Sequence, residues 1–238
     1  MQAKLLNNSG VDLEDFSETV RRLPLFTTGE RFLLLALNYV PLLHAASSAA
    51  VLFIPFDFWP WRAAIFLAIV YLAPALVARL LLAYFRIPEG RVPVTSKYFF
   101  VWWASSQLQV LFCRFPALEE TLRLIPGLYS AWLRLWGAKI GRFTYWSTGT
   151  VILDRPFLRI GNDVVFGAGV RLNAHVLAKG DSGQAELILG TLKVGDGAIV
   201  GGYSLLTAGS EISAREITKA FLISPPFTVW KDGKRIRR

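Results

Sequence analysis

The stretch from Ile140 to Ile217 constrains the fold most, because it counts in sixes. Ile140, Trp146 and Ile152 stand six apart; after a two-residue slip Ile160, Phe166 and Leu172 repeat the spacing. After a longer insertion Ile188, Val194, Val200, Leu206 and Ile212 take it up again. The next residue is mostly small (Gly141, Ser147, Gly161, Gly167, Gly195, Gly201). Four residues after each apolar one comes a second small or β-branched slot: Thr144, Thr150, Val164, Val170, Val176, Ala198, Ser204, Ser210. A period of six is neither helical nor simple strand alternation, and it specifies a parallel β-helix. Each hexad makes one face of a triangular prism, three make a coil, and coils stack at about 4.8 Å, the spacing of paired strands. The apolar residue points inward, and the small one beside it turns the corner, where a Cβ would crowd. About four coils are expected over 140–217.

The chain upstream obeys different rules. With eight Trp, seventeen Phe and a mean hydropathy of +0.42, the whole is too apolar for an ordinary soluble domain. Phe32–Ile54 and Trp61–Phe85 are each long enough to span a bilayer, joined by the aromatic turn Pro55–Pro60. Lys4, Arg21, Arg22 and Arg31 precede this pair, and Arg79, Arg86, Arg91 and Lys97 close or follow it. The positive-inside rule then places both termini in the cytoplasm. His44, inside the first span, is expected to bond a neighbouring helix, and Arg79 to snorkel. The expected organisation is a mixed membrane protein. A 1–30 amphipathic segment (helical over 11–23) precedes a 31–88 transmembrane hairpin and an 89–139 interfacial helical connector. The 140–217 β-helix and a basic 218–238 tail follow.

The net charge of +9 invites a nucleic-acid reading. No recognition motif supports it, and the basic residues flank apolar stretches, as on a protein facing anionic lipid. Cys113 stands alone, so there is no disulfide framework and no Cys metal site; it is expected as a small buried hydrophobe. No metal ligand set is expected.

Residues 151–175 (VILDRPFLRIGNDVVFGAGVRLNAH) and 192–212 (LKVGDGAIVGGYSLLTAGSEI) resemble the hexapeptide-repeat acyltransferases, near the maltose and galactoside O-acetyltransferases. With the helices upstream, the chain also resembles the membrane-attached acyltransferase-like domains that end polylysine-type peptide synthetases. The resemblance implies a left-handed β-helix, a homotrimer, and transfer of an acyl group such as acetyl from a thioester to a hydroxyl or amine. The donor would be acyl-CoA or an acyl carrier protein, with no bound cofactor. His175 matches the family's general base, a role that needs a group titrating near neutrality. Gly202 falls where a backbone N–H of the next coil stabilises the tetrahedral oxyanion, although Gly201 and Gly202 also suit a plain turn. Asp154 either approaches the acceptor or caps local N–H groups, and Asn173 is a further candidate to position the acceptor. Gly201 and Lys219 are donor-side candidates; Lys219, Lys231, Lys234 and Arg235 suit the donor's phosphates, a carrier protein or lipid headgroups. Residues 178–187 should protrude as a loop over a site shared between subunits.

Two departures stand out. Ile199 replaces the family's usual Trp, and residues after 212 lack the further apolar coil that lines the donor's pantetheine arm. One usable His excludes the zinc carbonic anhydrases of this fold, and nucleotidyltransferase relatives need a preceding nucleotide-binding domain. The expected function is a membrane-anchored acyltransferase of the bacterial inner membrane, its β-helix on the cytoplasmic side. The acceptor is expected to be amphiphilic. The alternative is a non-catalytic membrane-anchored trimeric scaffold.

Overall fold

The computed structural model of the chain describes residues 26–53, 59–180 and 183–237. The helix expected over 11–23 and most of the aromatic turn lie outside them. Two apolar rods come first. The first comprises α1 (Thr28–Asn38), α2 (Val40–Ala50) and a 3₁₀ turn. It starts on a capping box, in which Glu30 N donates to Thr27 Oγ1 (3.3 Å) and Thr27 N donates to Glu30 Oε2 (2.8 Å). The second comprises α3 (Trp59–Leu67), a π-helical turn at Ala68–Leu72 and α4 (Ala73–Tyr84). The widened turn sits just before Pro74, which has no N–H to continue the helical ladder. His44 Nε2 donates across the rods to the Ile69 carbonyl at 3.1 Å. Thr28–Phe53 and Trp59–Tyr84 are each 26 residues, long and apolar enough by length and composition to cross a membrane.

The connector begins with β1 (Gly90–Pro93), followed by α5 (Lys97–Gln107), α6 (Val110–Arg114), α7 (Ala117–Arg123) and α8 (Leu128–Leu135). Ser96 caps α5, its hydroxyl accepting from Phe99 N. Gly137 follows α8 with φ +101°, a conformation that favours glycine, and turns the chain into the prism. Tyr129, Trp132, Leu133 and Trp136 are buried in one core with Ile140 and Ile152, so α8 closes the prism's first end. Cys113 is exposed, contrary to expectation.

The prism rises coil by coil. The first coil is β2 (Lys139–Ile140), β3 (Tyr145–Trp146) and β4 (Val151–Ile152); the second is β5 (Leu158–Ile160), β6 (Val165–Phe166) and β7 (Arg171–Leu172). An excursion, β8 (His175–Lys179) and β9 (Ala185–Leu189), separates these from the third coil, β10 (Leu192–Val194), β11 (Ile199–Val200) and β12 (Leu205–Leu206). Pairing between coils is parallel throughout: Ile140, Ile160, Val194 and Ile212 share one register, and Ile152, Leu172 and Leu206 another. The small slots behave as expected. A Cβ on Gly161 would lie 2.6 Å from Asp196 N, and one on Gly201 2.4 Å from Lys219 C.

Three expectations need correction. First, the stack does not stop near 217. β13 (Glu211–Ile212), a bridge from Ile199 to Ile217 and β14 (Ile223–Ser224) make a fourth coil, β15 (Thr228–Lys231) stacks on β13 to open a further one, and β16 (Lys234–Arg237) folds back on β15. The count of six simply continues through Thr218, Ser224 and Trp230 with polar residues facing inward. Their polar atoms find partners: Trp230 Nε1 donates to Ser224 Oγ at 2.9 Å, Thr207 Oγ1 donates to the Ser224 carbonyl at 2.6 Å, and Thr218 Oγ1 accepts from Gly201 N at 3.0 Å. Second, Val176 and Ile188 are not prism residues. They face each other in the excursion, in register with Arg91. Third, the expected loop at 178–187 is mostly the outer part of a hairpin, and β9 also pairs antiparallel with β1 of the same chain.

Candidate active site

The repeat breaks twice at the same corner of the prism, on successive coils, and the two breaks meet. In the first coil the two-residue slip after Ile152 becomes a 3₁₀ turn, Arg155–Phe157, with Asp154 just before it. In the second coil the chain leaves after Leu172 into the hairpin and returns where Gly190 N donates to the Ala174 carbonyl at 3.0 Å. His175 stands at the root of that hairpin. Its Nδ1 lies 2.6 Å from Asp154 Oδ2, while Trp102 Nε1 of α5 donates to Asp154 Oδ1 at 3.0 Å. The Trp102 and His175 rings meet edge to face, centroids 4.7 Å apart. Asp154 is 1% exposed, whereas the His175 side chain keeps 22% of its surface. Because a carboxylate only accepts, Nδ1 carries the proton in the neutral ring and Nε2 presents a lone pair. Nε2 has no hydrogen-bond partner among the described residues.

Both oxygens of Asp154 are engaged and its carboxylate is buried, so it orients the imidazole, the partner sequence reasoning missed. Asn173 has its Oδ1 sealed without a hydrogen-bond partner, so that atom is not available to an acceptor. Gly201, Gly202 and Lys219 lie together at another corner. Gly201 N donates to Thr218 Oγ1 at 3.0 Å, and Gly202 follows directly, its own N–H without a partner among the described residues. Within one chain the structure does not bring Gly202 to the His175 corner.

Behind Asp154 a buried charged network ties the prism to the connector, and no motif announced it. Arg155, 1% exposed, donates through its backbone N (2.8 Å) and Nη1 (3.1 Å) to Gln109 Oε1 and pairs with Glu119. Glu119 Oε2 accepts from Tyr129 Oη at 2.6 Å and Arg123 Nη2 at 3.1 Å; Arg123 Nη2 also donates to the Thr150 carbonyl at 2.8 Å. Burial, then the Glu119 charge, pushes the Tyr129 phenol far above its ordinary range, so it stays a donor. Burial alone would lower the Arg155 guanidinium, but Glu119 outweighs it and holds the group charged. Among the described residues, no group of three or more His, Cys, Asp or Glu side chains is placed to hold a metal ion.

Trp102→Phe keeps the aromatic edge but removes the N–H from Asp154, leaving one carboxylate oxygen unpartnered. We expect kcat to fall roughly tenfold, the order of one hydrogen bond to a charged group, with KM little changed. A wild-type kcat would mean that Trp102 only fills space.

Fold and site define a parallel β-helix carrying a carboxylate-held histidine where its repeat is interrupted. Solved structures similar to the chain are hexapeptide-repeat acetyltransferases. One, from Vibrio cholerae O1 biovar El Tor, complexed with acetyl coenzyme A, is 18% identical, with 56% of this chain and 88% of that one covered and a TM-score of 0.38. The maltose O-acetyltransferase of Clostridium difficile is 13% identical, with 53% and 86% covered and a TM-score of 0.25. A soybean serine acetyltransferase complexed with serine is 19% identical, with 74% and 76% covered and a TM-score of 0.26. No protein-family model and no curated protein matches the chain.

Proposed function

We propose that this protein is a membrane-anchored acyltransferase that uses His175 as general base. The reading rests on one observation: an imidazole oriented through Nδ1 by a buried carboxylate, with no partner for Nε2 among the described residues, at a break in the prism. In the reaction Nε2 takes the proton from an acceptor hydroxyl or amine as that atom bonds to the carbonyl carbon of an acyl thioester. The negative charge passes to the carbonyl oxygen. Collapse of this intermediate breaks the C–S bond, and the imidazolium returns its proton to the departing thiolate, leaving the base neutral. The Asp154 carboxylate stabilises the imidazolium between the two steps. Acyl-CoA or an acyl carrier protein serves as donor. Gly202 N–H serves as oxyanion donor from a neighbouring copy, so the site is completed in a left-handed homotrimer.

The apolar rods support anchoring: Phe32, Leu35, Leu42, Leu43 and Leu80 are all exposed, a surface that lipid rather than water would cover. The charge distribution supports the cytoplasmic face of a bacterial inner membrane. The acceptor is amphiphilic, because His175 closes only the second coil above the end capped by α8, on the order of 10 Å at the strand spacing. The scaffold alternative drew on the missing apolar coil; the stack does continue past 217, with Thr218, Ser224 and Trp230 at its inward positions, which weakens that alternative. Mass spectrometry of lipids and glycans from cells with wild-type protein and with His175→Ala tests the reading. An acylated species should be present only with the wild type; identical profiles would overturn it.

A further inference from the structure

We propose that the cleft between the α7–α8 turn and the first coil binds one anionic phospholipid of the surrounding bilayer, an inference that rests on the membrane-anchored reading. The cleft encloses about 630 Å³. Its wall is largely apolar, formed by Ile125, Phe143, Tyr145 and Trp146, with Arg134 and Arg142 along one side. Arg123 also lines it, but Glu119 and Glu120 already neutralise that charge. Arg134 is different: its Nε and Nη2 donate to the carbonyls of Ile140 (2.9 Å) and Gly141 (2.8 Å), which carry no net charge. Arg142 is exposed and makes no ion pair or hydrogen bond through its guanidinium among the described residues. Two guanidinium charges thus face the cleft without a carboxylate. Thr144 Oγ1, also in the lining, is sealed without a partner.

Position selects the occupant. The Arg134 carbonyl accepts from Arg79 Nη1 at 3.4 Å, and Arg79 stands near the end of the second apolar rod, so the cleft opens where that rod would leave a bilayer. At the mouth Phe143 is 85% exposed and Ile125 57%. A soluble anion would leave these side chains in water, and a zwitterionic lipid would bring its own headgroup cation beside the two arginines and offset the attraction to its phosphate. An anionic phospholipid satisfies both, its phosphate at the guanidinium groups and an acyl chain along the aromatic wall. The cleft lies at the Gly141–Thr144 corner, away from His175, so it is not the acceptor site of the same chain.

The test uses the full chain, delipidated in detergent and titrated by native mass spectrometry with dioleoyl phosphatidylglycerol or dioleoyl phosphatidylcholine. The anionic lipid should bind at least about tenfold more tightly, and Arg142→Gln should remove most of that preference. Arg171→Gln, which removes an exposed arginine from another face, should change binding by less than about twofold. Equal binding of the two lipids, or equal losses in the two variants, would overturn the proposal. So would displacement by millimolar inorganic phosphate, which would make the cleft a plain anion site. Flotation of the protein with phosphatidylcholine vesicles reads the membrane anchoring separately. A protein that floats but shows no lipid preference refutes the cleft and not the anchor.

Discussion

Replacing His175 with alanine should lower acyl transfer by roughly 100- to 10,000-fold, the range general-base loss typically produces, while the prism stays folded. The first expectation follows from position: Nε2 has no other hydrogen-bond partner among the described residues, and the ring is already oriented by Asp154 at 2.6 Å. The second follows from packing. His175 is partly exposed at the hairpin root, and the hydrophobic core formed by Ile160, Phe166, Leu172, Val194, Val200 and Leu206 does not include it. The variant should therefore unfold near the wild-type midpoint. Its Asp154 carboxylate keeps the Trp102 donor, so the local cost is one hydrogen bond and the edge-to-face contact with Trp102. Near-wild-type turnover of purified His175→Ala would make the base assignment wrong, whatever the protein transfers.

Glu119→Ala should have the largest effect on stability. The variant strands Arg155, 1% exposed and stacked among Phe112, Trp132 and Trp136, without its counter-charge. Breaking a buried ion pair from one side typically costs about 3–5 kcal/mol, because the remaining charge stays desolvated. The Tyr129 hydroxyl and Arg123 lose their shared acceptor as well. Replacing both partners, as Glu119→Leu with Arg155→Met, should recover much of the loss, since a well-packed apolar pair does not demand a counter-ion. Denaturant unfolding of the full chain in detergent, comparing the single and paired variants, reads both outcomes. A single variant as stable as wild type would show that the network does not hold the connector to the prism.

How much was legible in the sequence follows from the range of each interaction. The prism was legible because its grammar is local: an inward apolar residue, a small neighbour and a six-residue step fix each face. The continuation past 217 was not, because Thr218 and Ser224 occupy inward positions where the pattern asks for hydrophobes, and only the fold shows their partners, Gly201 N for Thr218 and Trp230 Nε1 for Ser224. The same limit misplaced Val176 and Ile188, whose spacing fitted a rhythm that the hairpin had already left. Cys113 was read as buried from its residue type, which carries no information about the surface it reaches. His175 was named through the resemblance alone. Asp154 was named for a different role, because its contact with His175 crosses 21 residues and its contact with Trp102 crosses 52. Gln109 and Arg123 gave no signal, and Glu119 read only as part of a helix start with Pro116 and Glu120, because nothing local shows that Arg155 lies opposite it. One clue was in view: a two-residue slip that inserts Asp154 and Arg155 into an otherwise apolar count. In a repeat, an interruption bearing charge marks the place where something other than the repeat is held.

The link from the apolar rods to His175 passes through α5. Trp103 Nε1 donates to Asn38 Oδ1 at 3.1 Å on the first rod, while Trp102, one residue earlier and on the other side of the helix, holds Asp154. This geometry ties the position of His175 to the first apolar rod through adjacent residues of α5.

The most direct test of the account is transfer of an isotope-labelled acyl group. Purified full-length protein is incubated with ¹³C-labelled acetyl-CoA or a longer acyl-CoA and with membrane lipid extract, and both thiol release and lipid masses are followed. The account predicts that label appears on a lipid or lipid-linked glycan in step with released thiol, and that His175→Ala abolishes both. Label transfer undiminished in His175→Ala, or no transfer from either donor to any component of the extract, would contradict it.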